Sequence, residues 1–294
     1  MLKQKEISNI KAIRTRHMLT FFQYLFAIVF TLIIVFPFYW MIITSLKTSE
    51  ELLRPVPTLW PLKFQWNNYV DVFKMAPLGQ YILNTIIMTI GVMTLQIIIG
   101  SFAAYGFSKG KFPGRDILFI VVLGALMVPI QVTFVPIYVM IAKLKWINTF
   151  AGLIVPNAVS AYTIFMLRQT FKSVDDAFIE AAQLEGLGRI DIIFRILIPL
   201  CKPTMLTVTI ITFIDSWNAY FWPKIATTTP LRRTIALGVY ELKRSYAGLE
   251  TMNQNQIMAG AIMAGAVITI VPIIILFILL QKYILTGFSK VASK

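Results

Sequence analysis

The chain has 294 residues, of which 57% are hydrophobic and only 14% charged, a composition that excludes an ordinary soluble globular domain. Its net charge of +14 does not read as a nucleic-acid footprint, because the basic residues are scattered between long apolar runs; lipid headgroups are the expected counter-ions. One cysteine, Cys201, excludes an intramolecular disulfide and a cysteine-cluster metal site, and the one histidine, His17, sits in a basic stretch as a solvated residue.

Residues 1–18 form a basic segment, with Lys3, Lys5, Lys11, Arg14 and Arg16 against Glu6. The run 19–46 has no charge and is roughly twice the 7–15 residues of a signal-peptide core, so it predicts a retained transmembrane helix. The connection 47–80 is rich in Pro and Trp, including Pro55, Pro57, Trp60, Pro61 and Trp66, which suits the headgroup zone. A second span is predicted over 82–107. It carries Asn84 and Gln96, and its small residues Gly91, Gly100, Ser101, Ala103 and Ala104 allow close helix approach inside a bundle. The short loop 108–116 holds Lys109, Lys111 and Arg115.

The third span, 117–142, is broken by Pro129 and Pro136 around Gln131. Such breaks are tolerated at membrane depth where the backbone faces protein or a watery cavity. The fourth, 149–167, contains Pro156 and Asn157; the fifth, 203–223, contains a lone acid, Asp215; the sixth, 257–281, is rich in Ala and Gly. Asp215 precedes Trp222 by seven positions, which puts it about 10 Å below the outer end of a helix continuing that far. Six spans put both termini on one side. With termini inside, the inner side holds sixteen of the 27 Lys and Arg, and the short segments 1–18 and 108–116 carry the clearest bias.

Between the fourth and fifth spans lies the longest charged interval, 173–203. Val174, Ala177, Phe178, Ala181 and Leu184 recur at helical spacing, with Asp175, Asp176, Glu180 and Gln183 on the other side and Ser173 placed to cap the helix. Gly186 and Gly188 break it, and Ile190, Ile193, Phe194 and Leu197 mark a second short helix before Pro199 and Pro203. Two short helices reversing at Gly186 make a knob suited to docking a partner. The plain alternative is a surface hairpin without one.

The chain has no phosphate-binding G-x-x-x-x-G-K-[ST], since Tyr105 stands where Gly110-Lys111 would need the upstream glycine, and no HExxH or GxSxG. It is therefore read as a non-enzyme. Its single intramembrane acid contrasts with the several ionisable groups that ion-coupled transporters commonly place within their spans, although such a transporter working as a homodimer stays open as the alternative.

The knob resembles the "EAA" loop of ATP-binding-cassette importer permeases: Glu180-Ala181-Ala182, Gly186 six residues after the glutamate, then Ile196-x-Ile198-Pro199. The usual ending is Ile-x-Leu-Pro, and Glu185 stands where Asp is common. Asn67-Asn68-Tyr69, Asn84-Thr85, Ala103-Ala104-Tyr105-Gly106-Phe107, Phe112-Pro113-Gly114-Arg115, Trp217-Asn218 and Gln281-Lys282-Tyr283 extend the likeness to the carbohydrate-uptake subgroup. Within it the chain is similar to the shorter, six-span partner of the maltose, multiple-sugar and glycerol-3-phosphate importers; the tail Val291-Ala292-Ser293-Lys294 lacks the subgroup's glycines. The resemblance implies an all-α membrane protein of the inner membrane with a cytoplasmic coupling loop over 173–199. It implies a heterodimer with a second permease, two ATP-binding cassette subunits that hold ATP and Mg, and an extracytoplasmic solute-binding protein. It further implies that Glu180, Ala181, Ala182 and Gly186 couple to the ATPase. Asp215, Asn218 and Gln131 are candidates for lining a sugar path, because carboxylate and amide groups near aromatic faces suit hydroxyl-rich solutes; Asp215 pairing within the assembly is the equal alternative.

Overall fold

The computed structural model describes residues 2–247 and 252–292, with side chains described for 18–244 and 259–281. His17, the charges of 1–16 and the tail 293–294 lie outside the described side chains. Among the described residues every regular element is helical. Three helices are long and apolar enough to cross a membrane: Met18–Ser45, Leu78–Lys109 and Ala259–Gln281. Three bent pairs supply up to three more spans, giving the all-α, multi-span architecture. The chain divides into two compact units, 1–72 with 246–267, and 73–245 with 268–294.

In the first unit, α1 (Leu2–Ser45) includes the 28-residue apolar stretch, whose side chains are almost all exposed on every side of the helix. Its end is tied to the chain that follows. The Tyr39 hydroxyl donates to the Leu59 carbonyl, and the Ser45 and Tyr69 hydroxyls lie 2.8 Å apart. The one-turn α2 (Ser49–Leu52) begins where Thr48 Oγ1 accepts from the Glu51 N–H. Glu51 is buried and satisfied, accepting from the Thr58 hydroxyl and the Leu62 N–H. Lys47 donates to the Thr58 carbonyl while its ammonium lies 4.5 Å from the centre of the Trp40 ring. Asn68, in α3 (Asn67–Met75), donates to the carbonyls of both Ser45 and Lys47 at 2.9 Å. A Cβ on Gly260 would stand 2.6 Å from Asn68 Nδ2, so only glycine permits that approach.

The second unit is built on α4 (Leu78–Lys109). The small residues of this helix meet α8 (Ala161–Lys172) and the shorter α7 (Phe150–Ile154) as helix-packing physics requires: a Cβ on Gly100 would be 2.7 Å from Thr163 Cγ2, and one on Gly91 2.7 Å from Ile154 Cδ1. The prolines set the breaks. Pro129 caps the start of α6 (Ile130–Lys143), which departs at 99° from α5 (Arg115–Ala125). Pro156 lies in the 3-10 turn Val155–Asn157, at a 45° bend between α7 and α8. Cys201 is the 90° corner ahead of α12 (Lys202–Trp217), whose first turn contains Pro203. Then come α13 (Phe221–Ala226) and α14 (Ile235–Ala247). The last helix, α15 (Met252–Ala292), supplies residues to both units, and in the second its Thr269 carbonyl accepts from Trp217 Nε1 at 2.9 Å.

Candidate functional site

The charged loop folds as a short helix α9 (Asp176–Leu184), a reversal, and a second helical stretch running from Arg189 to Leu200. One expectation needs correction. Ser173 does not cap α9: α8 runs to Lys172, Ser173 closes that helix, and Asp175 does the capping, its Oδ1 accepting from the Ala177 N–H at 3.0 Å. The structure also shows which face of α9 is buried. Ile179 and Ala182, at 6% and 4% exposure, face the core, whereas Phe178 is 54% exposed and Leu184 90%. The reason lies in the packing. Ile179 and Ala182 join Ala104, Leu167, Phe171, Ile192, Leu197 and Met205 in a cluster contributed by α4, α8, α9, the second helical stretch and α12. Ala177, Phe178, Ala181 and Leu184 are left outward, beside the exposed Glu180.

Gly186 makes the reversal with φ +81°, the left-handed region that glycine enters without penalty. Its N–H donates to the Gln183 carbonyl and the Leu187 N–H to that of Ala182, which closes α9 and returns the chain toward the core. Gly188 has extended backbone and caps α10 (Arg189–Asp191). A π-helical turn over Ile192–Leu197 follows, then α11 (Ile198–Leu200). Pro199 has no N–H to give, and in α geometry its ring would meet the Arg195 carbonyl; the widened turn sits where that conflict arises.

The loop is fastened to α4 by apolar packing on Ala104, by the Phe102–Phe194 ring contact, and by the polar bonds of one side chain. Lys109, 9% exposed, donates to the Val174 carbonyl at 2.7 Å and to Asp176 Oδ1 at 2.5 Å. That hydrogen bond, with the Lys109 charge, holds the Asp176 carboxyl below the usual carboxylate range.

Further along the same unit is a cavity of about 810 Å³, lined from α4, the α5–α6 break, the Val155–Asn157 turn, α8, α12 and α13. Gln131 and Asp215 both line it; Asn218 does not, being the residue that closes α12. Helix α12 ends at Trp217, so Asp215 lies in its last turn and the depth inferred from a helix continuing to Trp222 is corrected. Reasoning from sequence missed Gln96, Asn157, Ser160, Tyr162 and Tyr220, which also line the space. Gln96 is the polar junction of the unit: its amide donates to the Asn157 carbonyl at 2.8 Å, and its oxygen accepts from the Thr163 and Thr212 hydroxyls at 3.3 and 3.0 Å. Its neighbours in space lie 61 to 116 positions away, so no local pattern reveals the role. Among the described residues no group of three or more His, Cys, Asp or Glu is placed to hold a metal.

A cavity at helix breaks and a two-helix knob with an outward face are the two features this unit sets out. Residues 96–290 match the family described as binding-protein-dependent transport system inner membrane component. The probable ABC transporter permease protein YurM of Bacillus subtilis (strain 168) is 30% identical over 275 residues, covering 92% of this chain and 87% of its own. The arabinooligosaccharides transport system permease protein AraQ of the same organism is 29% identical over 90% of this chain and 92% of its own. The sn-glycerol-3-phosphate transport system permease protein UgpE of Pectobacterium atrosepticum is 27% identical over 94% and 98%. A solved bacterial ABC transporter involved in the import of the acidic polysaccharide alginate shares the fold, with TM-score 0.81 at 23% identity over 92% of this chain and 98% of that one. These likenesses favour the importer reading over an ion-coupled transporter. The chain belongs to the binding-protein-dependent transport system inner membrane component family: it is a multi-pass permease subunit of an ABC importer, not an enzyme, and works with a partner permease, an ATPase and a binding protein.

Proposed function

We propose that this chain forms one half of a heterodimeric carbohydrate permease, paired with a second permease, two ATPase subunits that hold ATP and Mg, and an extracytoplasmic solute-binding protein. The observation that carries the substrate class is the cavity. It combines Gln131 and Asp215 with the aromatic side chains of Tyr162, Tyr220, Phe221 and Trp222, a lining that offers acceptors and donors to sugar hydroxyls and flat faces to sugar C–H groups. Relatives named for arabinooligosaccharide and glycerol-3-phosphate transport agree with an oligosaccharide or related polyol. Asn218, exposed beside this space, belongs to the path only through the partner permease. Transport is by alternating access: ATP closes the ATPase pair, and the knob turns the permease halves outward.

The spans are those over 19–46, 82–107, 117–142, 149–167, 203–223 and 257–281, and residues 173–199 form the ATPase-coupling loop. Its docking surface is the outward face of α9, where Glu180 gives a charge-assisted hydrogen bond and Ala181 lets the partner approach; Ala182 and Gly186 hold the shape. Residues 1–18 and both termini are cytoplasmic. A reporter active only in the cytoplasm is expected to work when fused after Lys294 or within 108–116, and to fail near Gly248. The reverse pattern would invert the topology and separate the knob from the ATPase.

Proteoliposomes test the function. The isolated chain is expected to show no ATP hydrolysis, whereas the assembled complex hydrolyses ATP faster when sugar-loaded binding protein is added outside, and accumulates the sugar. In that assay Gln131→Leu and Asp215→Leu are expected to lower uptake several-fold with ATPase association retained. Hydrolysis by the isolated chain, or gradient-driven uptake without ATP, would end this reading; unchanged uptake in both variants would remove these residues from the path.

A further inference from the structure

The geometry points to Lys109 as the positioning residue that makes the coupling loop and the cavity wall move together. The inference rests on the reading of α9 as the ATPase-docking element. Helix α4 is one unbroken rod of 32 residues. Met88, Val92 and Gln96 on this rod line the cavity, and Lys109 is its last residue. From Gln96 to Lys109 is about 20 Å along the axis at 1.5 Å per residue. Within the loop, α9 itself meets the bundle through apolar packing at Ile179 and Ala182. Apolar packing is non-directional, so a helix held by two such side chains can slide or roll on its bed. Directional bonds forbid that.

Lys109 supplies them at the point where the chain leaves α8 and starts α9. Its ammonium binds the Val174 carbonyl, ahead of the helix, and Asp176 at its first residue, so it fixes both the position and the direction of the N-terminal end of α9. The side chain is only 9% exposed although its partner carboxylate is 73% exposed, which marks the lysine as the held component of the pair. The neighbouring cation Arg168 serves a different joint. It donates to the Phe107 carbonyl and stacks 4.0 Å from the Phe119 ring, bracing α8 against α4 and α5 without touching the loop in any described bond. Ala104 and Phe102 of α4 also touch the knob, but through non-directional apolar contacts. The directional component of a push on α9 from a closing ATPase therefore enters α4 through Lys109 and reaches the cavity wall along a rigid helix.

The test uses the whole complex in proteoliposomes with sugar-loaded binding protein. Lys109→Met keeps the apolar stem and removes the bonds. It is expected to retain ATPase subunits on purification, while sugar moved per ATP hydrolysed falls about tenfold. Lys109→Arg, which can reach the same carbonyl and carboxylate, is expected to restore that ratio to within about twofold of the parent. Asp176→Asn, which leaves the Val174 bond in place, falls between them. A merely structural lysine would change abundance in the membrane and leave the ratio alone. If Lys109→Met assembles and its ratio is unchanged, or if it fails to assemble and Lys109→Arg shows no preserved ratio, Lys109 is not the positioning residue. Failure of the underlying reading looks different, because variants on the outward face of α9 would then keep their ATPase subunits.

Discussion

Gly186→Val is expected to leave this permease in the membrane and strip it of its ATPase subunits. The backbone at Gly186 is left-handed, at φ +81°, and nothing lies within 4 Å of where a Cβ would be. The cost is therefore conformational rather than a clash: about 1–2 kcal/mol for an L-residue in this region, and more for a β-branched one. That is too little to unfold a six-span bundle, and enough to open the reversal. Opening it breaks the paired bonds to the Gln183 and Ala182 carbonyls, draws Leu187 off the core, and redirects the outward face of α9. Since each 1.4 kcal/mol is a factor of ten in affinity, co-purification of the ATPase should drop by an order of magnitude or more, and uptake with it. Glu180→Ala should act in the same direction more weakly, because it removes one contact and keeps the shape. Gly188→Ala should be mild: its φ is −73° and the added methyl would meet only Asp191 Oδ2 at 3.8 Å. Full ATPase association and full uptake with Gly186→Val would mean that the knob is not the coupling element.

The second large effect is expected at Gln96, and it is one of stability. Gln96→Leu keeps the volume and removes an amide that serves three partners on three other elements. The Thr163 and Thr212 side chains are buried, at 1% and 5% exposure, so water does not replace the lost acceptor. Leaving a buried polar group unpaired costs about 1–3 kcal/mol, and the threonines can recover part by turning to their own helix carbonyls. A net loss of about 3 kcal/mol follows, read as a lower melting temperature of the detergent-purified chain. Gln96→Glu keeps the acceptor and loses the donor, and should fall between. A melting temperature for Gln96→Leu equal to that of the parent would show that the junction carries no weight.

These two residues mark what a sequence does and does not disclose. Gly186 was legible because its requirement is local: a helix stop, a glycine, and a second amphipathic run are adjacent in the chain. The apolar stripe of α9 was legible as a stripe, yet its direction was not. An isolated amphipathic helix says which residues share a face, and only the tertiary bed, here Phe171, Ile192 and Leu197, says whether the buried face is that one or the face of Ile179 and Ala182. The Ser173 cap failed for a related reason: two residues able to cap stand two positions apart, and the length of α8 decides between them. Asp215 was visible as a lone acid, but its depth depended on where α12 ends, and no proline or glycine marks that end between Trp217 and Trp222. Gln96 was visible only as a polar residue in a span, since its partners are brought to it by the fold.

The character of α1 carries a final consequence. Between Met18 and Phe38 the helix presents apolar side chains around its whole circumference, so in lipid one rotation about its axis is as good as another. Its azimuth is fixed instead at one end, by Tyr39 on the Leu59 carbonyl, by Ser45 beside Tyr69, and by the Asn68 amide on the Ser45 carbonyl. It is a mast stepped at its foot. Along the mast Leu25 and Ile33 are exposed within the chain, so other apolar residues there leave its internal packing unchanged. At the foot identity governs, and an isosteric change such as Tyr39→Phe removes one of the bonds that fix the rotation of the span.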